Sequence, residues 1–386
     1  MTQGNLKGLA KAAEIYNNRD KRLRELKAEG GKIMGYVCAY PPLEMVTAMG
    51  YVPFRIIGSM DEPITQADTQ VPSIICPMLR SMLDLGLKGR FEFLDGFIGA
   101  HTCDCTEKFS HLFQYNMKFP FYHFIDVPHI VHKASIGFMK SGFQMLQKRL
   151  EAHTGKKLDP EVLKAEIKKH NEQRALVREL YELRKQDPPL LSGVENLQIV
   201  LSLLSLPIEE GSAMLKEIIA EVKGRTSGCP VKKNARLLLW GSPLTETPIV
   251  EMIESVGANV VMDDICTGTR HFWPDVEITA DPLDGLAKRY LDEIKCPRTF
   301  RETTDSFEKD QEVRFGYIAQ YIKDWKVNGV ILQSMKYCDT HGYEVPAIKA
   351  YFDRIGIPSI YLEHEYTMVA LAPLKTRVEA FVEMIS

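Results

Sequence analysis

The sequence predicts an α/β protein with two related domains, each built on an open parallel sheet, joined by a helical connector. Two observations support this fold class. Short runs rich in β-branched and aromatic residues alternate with amphipathic helical stretches, which is the pattern of parallel sheets. The same order of runs then recurs along the chain, and 386 residues are enough for two domains of ordinary size.

Each half contributes four predicted strands. In the first half they cover 32–40, 51–58, 93–103 and 119–128, and in the second half 235–243, 258–266, 327–338 and 357–365. The halves also match in detail, since "DGFIGAHTCD" parallels "NGVILQSMKYCD" and "CAYPPLE" parallels "GSPLTET". The repeat predicts two flavodoxin-like or Rossmann-like domains, at residues 1–133 and 229–386.

Residues 134–228 form the predicted helical connector. Asp159 is expected to cap a long helix that starts at Pro160 and stops before Pro188, and a second helix is expected over 208–226. At 100° per residue, Arg174 falls on the apolar face of the first of these helices. Two interpretations stay open for Arg174: an anchor for a phosphate or partner carboxylate, or an ordinary paired side chain.

Composition limits the function classes. A net charge of −3 is not the electrostatic pattern of a nucleic-acid-binding protein, and the apolar runs are too short for a membrane span. The N-terminal stretch "MTQGNLKGLAKAAEIYNNRDKRLRELK" predicts a polar helix without the apolar core of a signal peptide. We therefore expect a cytoplasmic protein whose eight cysteines are reduced thiols, metal ligands or small buried residues.

The cysteines at strand ends are the candidate ligands. Cys103 and Cys338 each end the third strand of their own half, and ligands bind at the carboxyl ends of parallel strands. Thiolates are the ligands of a [4Fe–4S] cluster, and Cys76 in "IICPMLRS" is the best third candidate, with Cys296 in reserve by symmetry. Spacing alone is weak evidence, because an isolated cysteine is often a small buried apolar residue. That interpretation is favoured for Cys38, Cys229 and Cys266.

Several blocks resemble one family over nearly the whole chain. They are "VPSIICPMLRSMLDLGLKGRFEFLDGFIGAHTCD", "FPFYHFIDVPH", "MDDICTGTRHFW", "GVILQSMKYCDTHGYE" and "LKTRVEAFVEMI". In this order they are similar to the subunits of benzoyl-CoA reductases and 2-hydroxyacyl-CoA dehydratases. The resemblance implies two α/β domains with a [4Fe–4S] cluster held by Cys76, Cys103 and Cys338, and it leaves Cys105 outside the ligand pattern.

The resemblance also implies partners. A homologous second cluster subunit is expected, together with a separate ATP-hydrolysing iron–sulfur activator that supplies low-potential electrons and has ferredoxin as its upstream donor. The expected substrate is an acyl-CoA. The chain itself lacks both G-x-x-x-x-G-K-[ST] and G-x-G-x-x-G after a strand, which agrees with ATP being used by another polypeptide.

Chain length, "DDICTGTRHFW" and "EHEYTMVALAPLKTRVEAF" most resemble the smaller cluster subunit of benzoyl-CoA reductase. Dehydration of a 2-hydroxyacyl-CoA through the same ketyl-radical entry step is the alternative reaction. Glu44 and His101 are the candidate catalytic acids, against a helix-dipole role for Glu44 and a supporting role for His101. Arg270 is the candidate contact to the CoA phosphates, against a local cap or ion-pair role.

Two other classes of function stay open. If the thiols are merely buried, the chain is a two-domain α/β binding protein with a small-molecule cleft. If the chain has kept the fold of these enzymes and lost their catalytic activity, it is a maturation or scaffold protein. Iron content distinguishes the first from the enzymes, and activity with the activator distinguishes the second.

Overall fold

A computed structural model describes residues 7–301, 303 and 305–386. It contains two four-stranded parallel sheets, so the predicted fold class is confirmed. The first sheet consists of β1 (Lys32–Tyr36), β2 (Tyr51–Arg55), β3 (Gly96–Ala100) and β4 (Phe121–Ile125), and the second of β5 (Ala235–Gly241), β6 (Ala258–Asp264), β7 (Gly329–Met335) and β8 (Ser359–His364). All eight lie inside the predicted ranges.

The internal repeat is equally clear in the topology. The strand orders are β2-β1-β3-β4 and β6-β5-β7-β8, so corresponding strands occupy corresponding places. In each sheet the order reverses between the first and third strands, and such a switch point leaves a crevice at the carboxyl ends. The two crevices are therefore the places where each half is expected to bind a ligand.

The described part of the chain forms sixteen α-helices. They are α1 (Gly8–Asn17), α2 (Lys21–Ala28), α3 (Leu43–Ala48), α4 (Pro77–Leu87), α5 (Asp104–Met117), α6 (Lys133–Thr154), α7 (Pro160–Glu182), α8 (Gly193–Leu203), α9 (Ile208–Lys223), α10 (Pro248–Ser255), α11 (Thr269–Phe272), α12 (Pro282–Lys288), α13 (Phe307–Asp324), α14 (Asp339–Gly342), α15 (Val345–Arg354) and α16 (Leu371–Ile385). None of these helices combines the length and apolar character that a membrane crossing requires.

The connector helices begin and end as the sequence predicts. The Asp159 carboxylate accepts a hydrogen bond of 2.9 Å from the backbone N–H of Glu161, and α7 ends before Pro188. Leu163, Ile167, Val177 and Tyr181 lie buried on one face of this helix. Arg174 lies on the same face and forms an ion pair with Glu44, so of the two interpretations the paired one holds.

The connector packs against both halves of the molecule. The helix α1 contacts α8 and α9, while α12 from the second half contacts α6. One apolar core accordingly joins Phe143 of α6 to Leu286 and Tyr290 of the second half. These contacts bring the carboxyl ends of the two sheets together, and the boundaries of the three segments stay a prediction.

Candidate functional site

The carboxyl ends of the two sheets enclose one cavity of about 80 Å³. Its wall includes the residues that follow β1, β3, β5, β6 and β7. Seven of the eight cysteines line it: Cys38, Cys76, Cys103, Cys105, Cys266, Cys296 and Cys338. None of the eight is in a disulfide. A cavity with this many free thiols is suited to a soft metal.

The three cysteines selected from the sequence all reach this cavity. Cys76 precedes α4, with Pro77 as the first helical residue, and Cys103 caps α5. The Cys103 sulfur accepts a hydrogen bond of 3.3 Å from the backbone N–H of Thr106. Helix N-termini carry partial positive charge, which stabilises a thiolate. Local structure thus places two of these three thiols at helix N-termini, but the hydrogen bond with Cys105 and burial raise the pKa of Cys103 well above its usual value.

Cys338 comes from the second half and faces these two. Its sulfur lies 3.3 Å from Nδ1 of His341, whose Nε2 accepts a hydrogen bond of 2.9 Å from Arg270. This arrangement leaves the proton on Nδ1, directed at the sulfur. Burial raises the pKa of Cys338, but the interaction with His341 outweighs it, so the net pKa lies below the usual value. Burial instead raises the pKa of Cys76 to about 12.

Among the remaining cysteines of the cavity, the sequence analysis named Cys296 as the reserve ligand, favoured Cys38 and Cys266 as small buried residues and left Cys105 outside the ligand pattern. Cys266 and Cys296 are buried as a close pair, in which the Cys296 thiol stabilises the Cys266 thiolate and holds the pKa of Cys266 well below its usual value. Cys38 lies beside them, with φ at 66°, a left-handed conformation that costs energy for a residue with a side chain. The Cys103 thiol similarly lowers the pKa of Cys105 to about 6.

Arginines supply positive charge at the cavity wall. Arg55 and Arg298 line it, and both are buried. Arg55 donates to the carbonyl oxygen of Cys266 at 2.7 Å, and Arg298 donates to the carbonyl oxygens of His101 and Pro128 at 2.8 Å each. Within the described residues, the hydrogen bonds of both guanidiniums go to carbonyl oxygens and to the His129 ring, and none goes to a carboxylate. The cavity therefore favours an anionic occupant.

Arg270, the candidate substrate contact, lies behind the cavity wall. It is buried and forms two hydrogen bonds of 3.0 Å with the Asp264 carboxylate, while Nη1 donates to the carbonyl oxygen of Gly241 at 3.0 Å. The same Nη1 lies 3.7 Å from the Cys266 sulfur. All three guanidinium nitrogens are engaged within the protein, which favours the ion-pair role. A contact to CoA phosphates stays a prediction.

Glu44, the first candidate acid, is fully buried in α3 and is not among the described residues that line the cavity. Its carboxylate forms an ion pair with Arg174 and accepts a hydrogen bond of 2.8 Å from the Tyr290 hydroxyl. Burial raises its pKa, but Arg174 and other cationic neighbours outweigh this, so the net pKa lies well below the usual value. A carboxyl group held ionised in this way is a poor proton donor.

His101, the second candidate acid, is half-buried after β3. Its Nδ1 lies 2.9 Å from Asp126, and its side chain can approach a common point with Asp104 and Glu107, with the ligand atoms within 4.8 Å of one another. Through its carbonyl oxygen it holds Arg298 at the cavity wall. The observed contacts are those of a supporting residue, and a catalytic role stays a prediction.

Glu246 is a further candidate residue, which the sequence analysis did not single out. It lines a second cavity of about 290 Å³, which shares Ile57 and Thr245 with the cavity of the thiols. The carboxylate accepts a hydrogen bond of 2.5 Å from the backbone N–H of Met60, and burial raises its pKa to about 7. The internal repeat could have indicated Glu246, because this residue lies in the segment that parallels the one containing Glu44.

The fold and the site together define a class: an α/β protein of two repeated halves that enclose a thiol-lined cavity. The chain belongs to the 2-hydroxyglutaryl-CoA dehydratase D-component family, whose model matches residues 38–385. The family predicted from the sequence blocks is thereby confirmed.

Curated relatives include both types of enzyme. The chain is 29% identical over 372 residues to the putative dehydratase subunit YjiM of Escherichia coli, covering 94% of this chain and 93% of that one. It is 26% identical to a benzoyl-CoA reductase subunit of Thauera aromatica, with coverage of 92% and 91%. It is 24% identical to the lactoyl-CoA dehydratase subunit beta of Anaerotignum propionicum, covering 98% of each. The relatives are thus enzyme subunits, of reductases and of dehydratases.

Proposed function

We propose that this chain is the iron–sulfur subunit of an ATP-dependent benzoyl-CoA reductase, which transfers low-potential electrons to an aromatic acyl-CoA. In this proposal Cys76, Cys103 and Cys338 hold a [4Fe–4S] cluster. The observation that carries it is the presence of these three thiols, which are far apart in sequence, on the wall of one cavity.

The donor chemistry of the cavity fits such a group. Thiolates are the soft ligands that iron–sulfur clusters take. A single metal ion needs its ligand atoms close together, yet among the described residues the group within 4.8 Å is the nitrogen and oxygen set of His101, Asp104 and Glu107. The thiols are instead distributed around the cavity, as a cluster with metal atoms at separate corners requires.

When bound, the cluster supplies one-electron reduction at low potential. The chain's own residues shape the surroundings. Met78, Leu79 and Met82 present apolar surface to the cavity and so limit water there, which strengthens electrostatic interactions inside. The buried guanidinium of Arg55 balances negative charge. The carboxyl group of Glu246, with its raised pKa, holds a proton near neutral pH beside the cavity.

Dehydration of a 2-hydroxyacyl-CoA is the second candidate function. It is favoured by the names of the relatives, since lactoyl-CoA and (R)-phenyllactyl-CoA dehydratase beta subunits match over 96% or more of this chain. Both reactions begin with one electron added to a CoA thioester. They differ afterwards, because dehydration regenerates the electron and ring reduction consumes it.

The partners follow from the same proposal. The chain works with a homologous second cluster subunit, and a separate ATP-hydrolysing iron–sulfur activator delivers the electrons, with ferredoxin as the upstream donor. The support is that the relatives are named as subunits of larger enzymes.

The test combines the chain with its partner subunit, the activator, ATP and a reductant under anaerobic conditions. Benzoyl-CoA and a panel of 2-hydroxyacyl-CoA thioesters are supplied separately, and products are identified by mass spectrometry. The proposal expects a cyclic dienoyl-CoA, with reductant consumed in proportion to product. Enoyl-CoA formed with only catalytic amounts of reductant would establish the dehydratase. Iron-loaded protein inactive on both would indicate a scaffold role, and iron-free folded protein a binding protein.

A further inference from the structure

The cavity contains more thiols than the proposed cluster uses. A [4Fe–4S] cluster takes at most four thiolates. The set of Cys76, Cys103 and Cys338 leaves Cys38, Cys105, Cys266 and Cys296 on the same wall. Cys105 lies next to Cys103 and belongs with the first set. The other three form a group of their own.

From this surplus we infer that Cys38, Cys266 and Cys296 are a second ligand set, which binds a second iron–sulfur cluster facing the first across the cavity. The inference rests on the proposed function, since it adds a cluster to the site proposed there. The three thiols of this set lie close to one another. Cys266 and Cys296 form a hydrogen bond, and Cys38 interacts electrostatically with both. Cys76 interacts in the same way with Cys338 and Cys105.

The internal repeat relates the two sets. Cys296 is the counterpart of Cys76, because each is followed by proline in matching segments. The first set takes two thiols from the first half, Cys76 and Cys103, and one from the second. The second set takes Cys266 and Cys296 from the second half and Cys38 from the first. Each half therefore provides two ligands of one set and one ligand of the other. Two related halves that face each other give this reciprocal pattern.

A purely apolar role for the second set explains less of the structure. Cys38 has a positive φ of 66°, and such strained conformations in residues with side chains concentrate at functional sites. A small apolar residue in an ordinary core has no need of that conformation.

The positive charge around the second set also favours an anionic group there. Arg55 holds the carbonyl oxygen of Cys266, and Arg298 lines the same wall close to Cys296 in sequence. Both guanidiniums are buried, and in the part of the chain described here their hydrogen bonds go to carbonyl oxygens and a histidine ring rather than to carboxylates. Buried charges without a counter-ion are costly. A thiolate-bound cluster, which is anionic, would supply that counter-ion.

The experiment counts iron and acid-labile sulfide in the full chain, expressed with iron–sulfur assembly proteins and purified anaerobically on its own. We expect about eight of each per chain in the unmodified protein, as two [4Fe–4S] clusters require. The double variant Cys266→Ser/Cys296→Ser is expected to lose half of the iron. Cys76→Ser/Cys103→Ser is expected to lose the other half. Cys229→Ser is the matched control, because Cys229 is the cysteine outside the cavity lining, and it should retain all the iron.

The outcomes separate this inference from the proposed function. About four irons in the unmodified protein, unchanged in Cys266→Ser/Cys296→Ser, would overturn the second cluster and leave the first in place. Iron-free protein that is folded by circular dichroism would overturn both. If the double variant does not fold, the iron count of the unmodified protein decides, and Mössbauer spectra of Cys38→Ser then show whether one cluster environment is altered while the other is kept.

Discussion

The buried ion pair between Glu44 and Arg174 provides the sharpest test of how the connector is joined to the first sheet. The Glu44 carboxylate is 0% exposed and the Arg174 side chain 6% exposed. Removing one partner of such a pair leaves an uncompensated buried charge, which costs about 3–5 kcal/mol. We therefore expect Arg174→Met to lower the free energy of unfolding by that amount, a large part of the stability of an ordinary domain.

Urea unfolding followed by circular dichroism measures this change through the transition midpoint. Arg178→Met is the control, because Arg178 lies one turn along α7 in an ion pair with Asp275 whose side chains are 30% and 46% exposed. Such exposed pairs contribute about 1 kcal/mol or less. A loss of stability in Arg174→Met no larger than that in Arg178→Met would show that the Glu44–Arg174 pair does not stabilise the fold in this way.

The same pair predicts a pH dependence. The folded-state pKa of Glu44 is held well below its ordinary value of 4.5, so its contribution to stability is present above pH 4.5 and is lost as the pH falls through the folded-state pKa. Glu44→Gln should remove this part of the acid sensitivity. If Glu44 were instead a proton donor for the reaction, Glu44→Gln would abolish turnover while leaving the unfolding midpoint unchanged.

Three further predictions concern single residues. The pKa of Glu246 is raised to about 7, so its stabilising contribution is present below pH 4.5 and is lost as the pH rises through 7. Glu246→Gln should therefore be more stable than the unmodified protein by about 3 kcal/mol at pH 8, with no gain at pH 4. Asp264→Asn removes the anionic partner of Arg270 and should cost about 3–5 kcal/mol in urea unfolding, and a cost below 1 kcal/mol would contradict the buried pair. Gly241→Ala should abolish soluble folded protein, because its Cβ would lie 1.7 Å from the Gln333 carbonyl oxygen, and a native circular dichroism spectrum would contradict that packing.

The fold was predictable because local sequence and repeat agree. Runs such as Ala235–Gly241 are buried along their whole length, and this is the pattern that identifies a strand covered on both faces. The predicted ranges extend past the observed carboxyl ends by a few residues. Those extra residues, among them Cys103 and Cys338, are the loops that carry the site.

The site was only partly predictable for a physical reason. Cys103 and Cys338 occupy equivalent places in the repeat, and the carboxyl ends of parallel strands predict that they converge. Cys38 and Cys266 each follow a different strand of their own half, so no matching partner marked them as more than small buried residues. These cysteines come together only because the two halves pack against each other. That packing cannot be predicted from the sequence of either half alone.

The roles of charged residues depend still more on tertiary packing. Glu44 and Arg174 are 130 positions apart, and nothing local to either predicts their contact. The raised pKa of Glu246 likewise comes from burial between segments distant in the chain. The helix position of Arg174 predicted burial correctly, because a 3.6-residue period is a local property.

Iron analysis is the decisive test of the proposal that Cys76, Cys103 and Cys338 hold an iron–sulfur cluster. Iron and sulfide are measured in the anaerobically purified chain and in Cys103→Ser, Cys338→Ser and Cys229→Ser. We expect Cys103→Ser and Cys338→Ser each to lose about four irons and four sulfides per chain, while Cys229→Ser keeps the full content. Full iron content in Cys103→Ser and Cys338→Ser, or a folded parent protein without iron, would contradict it.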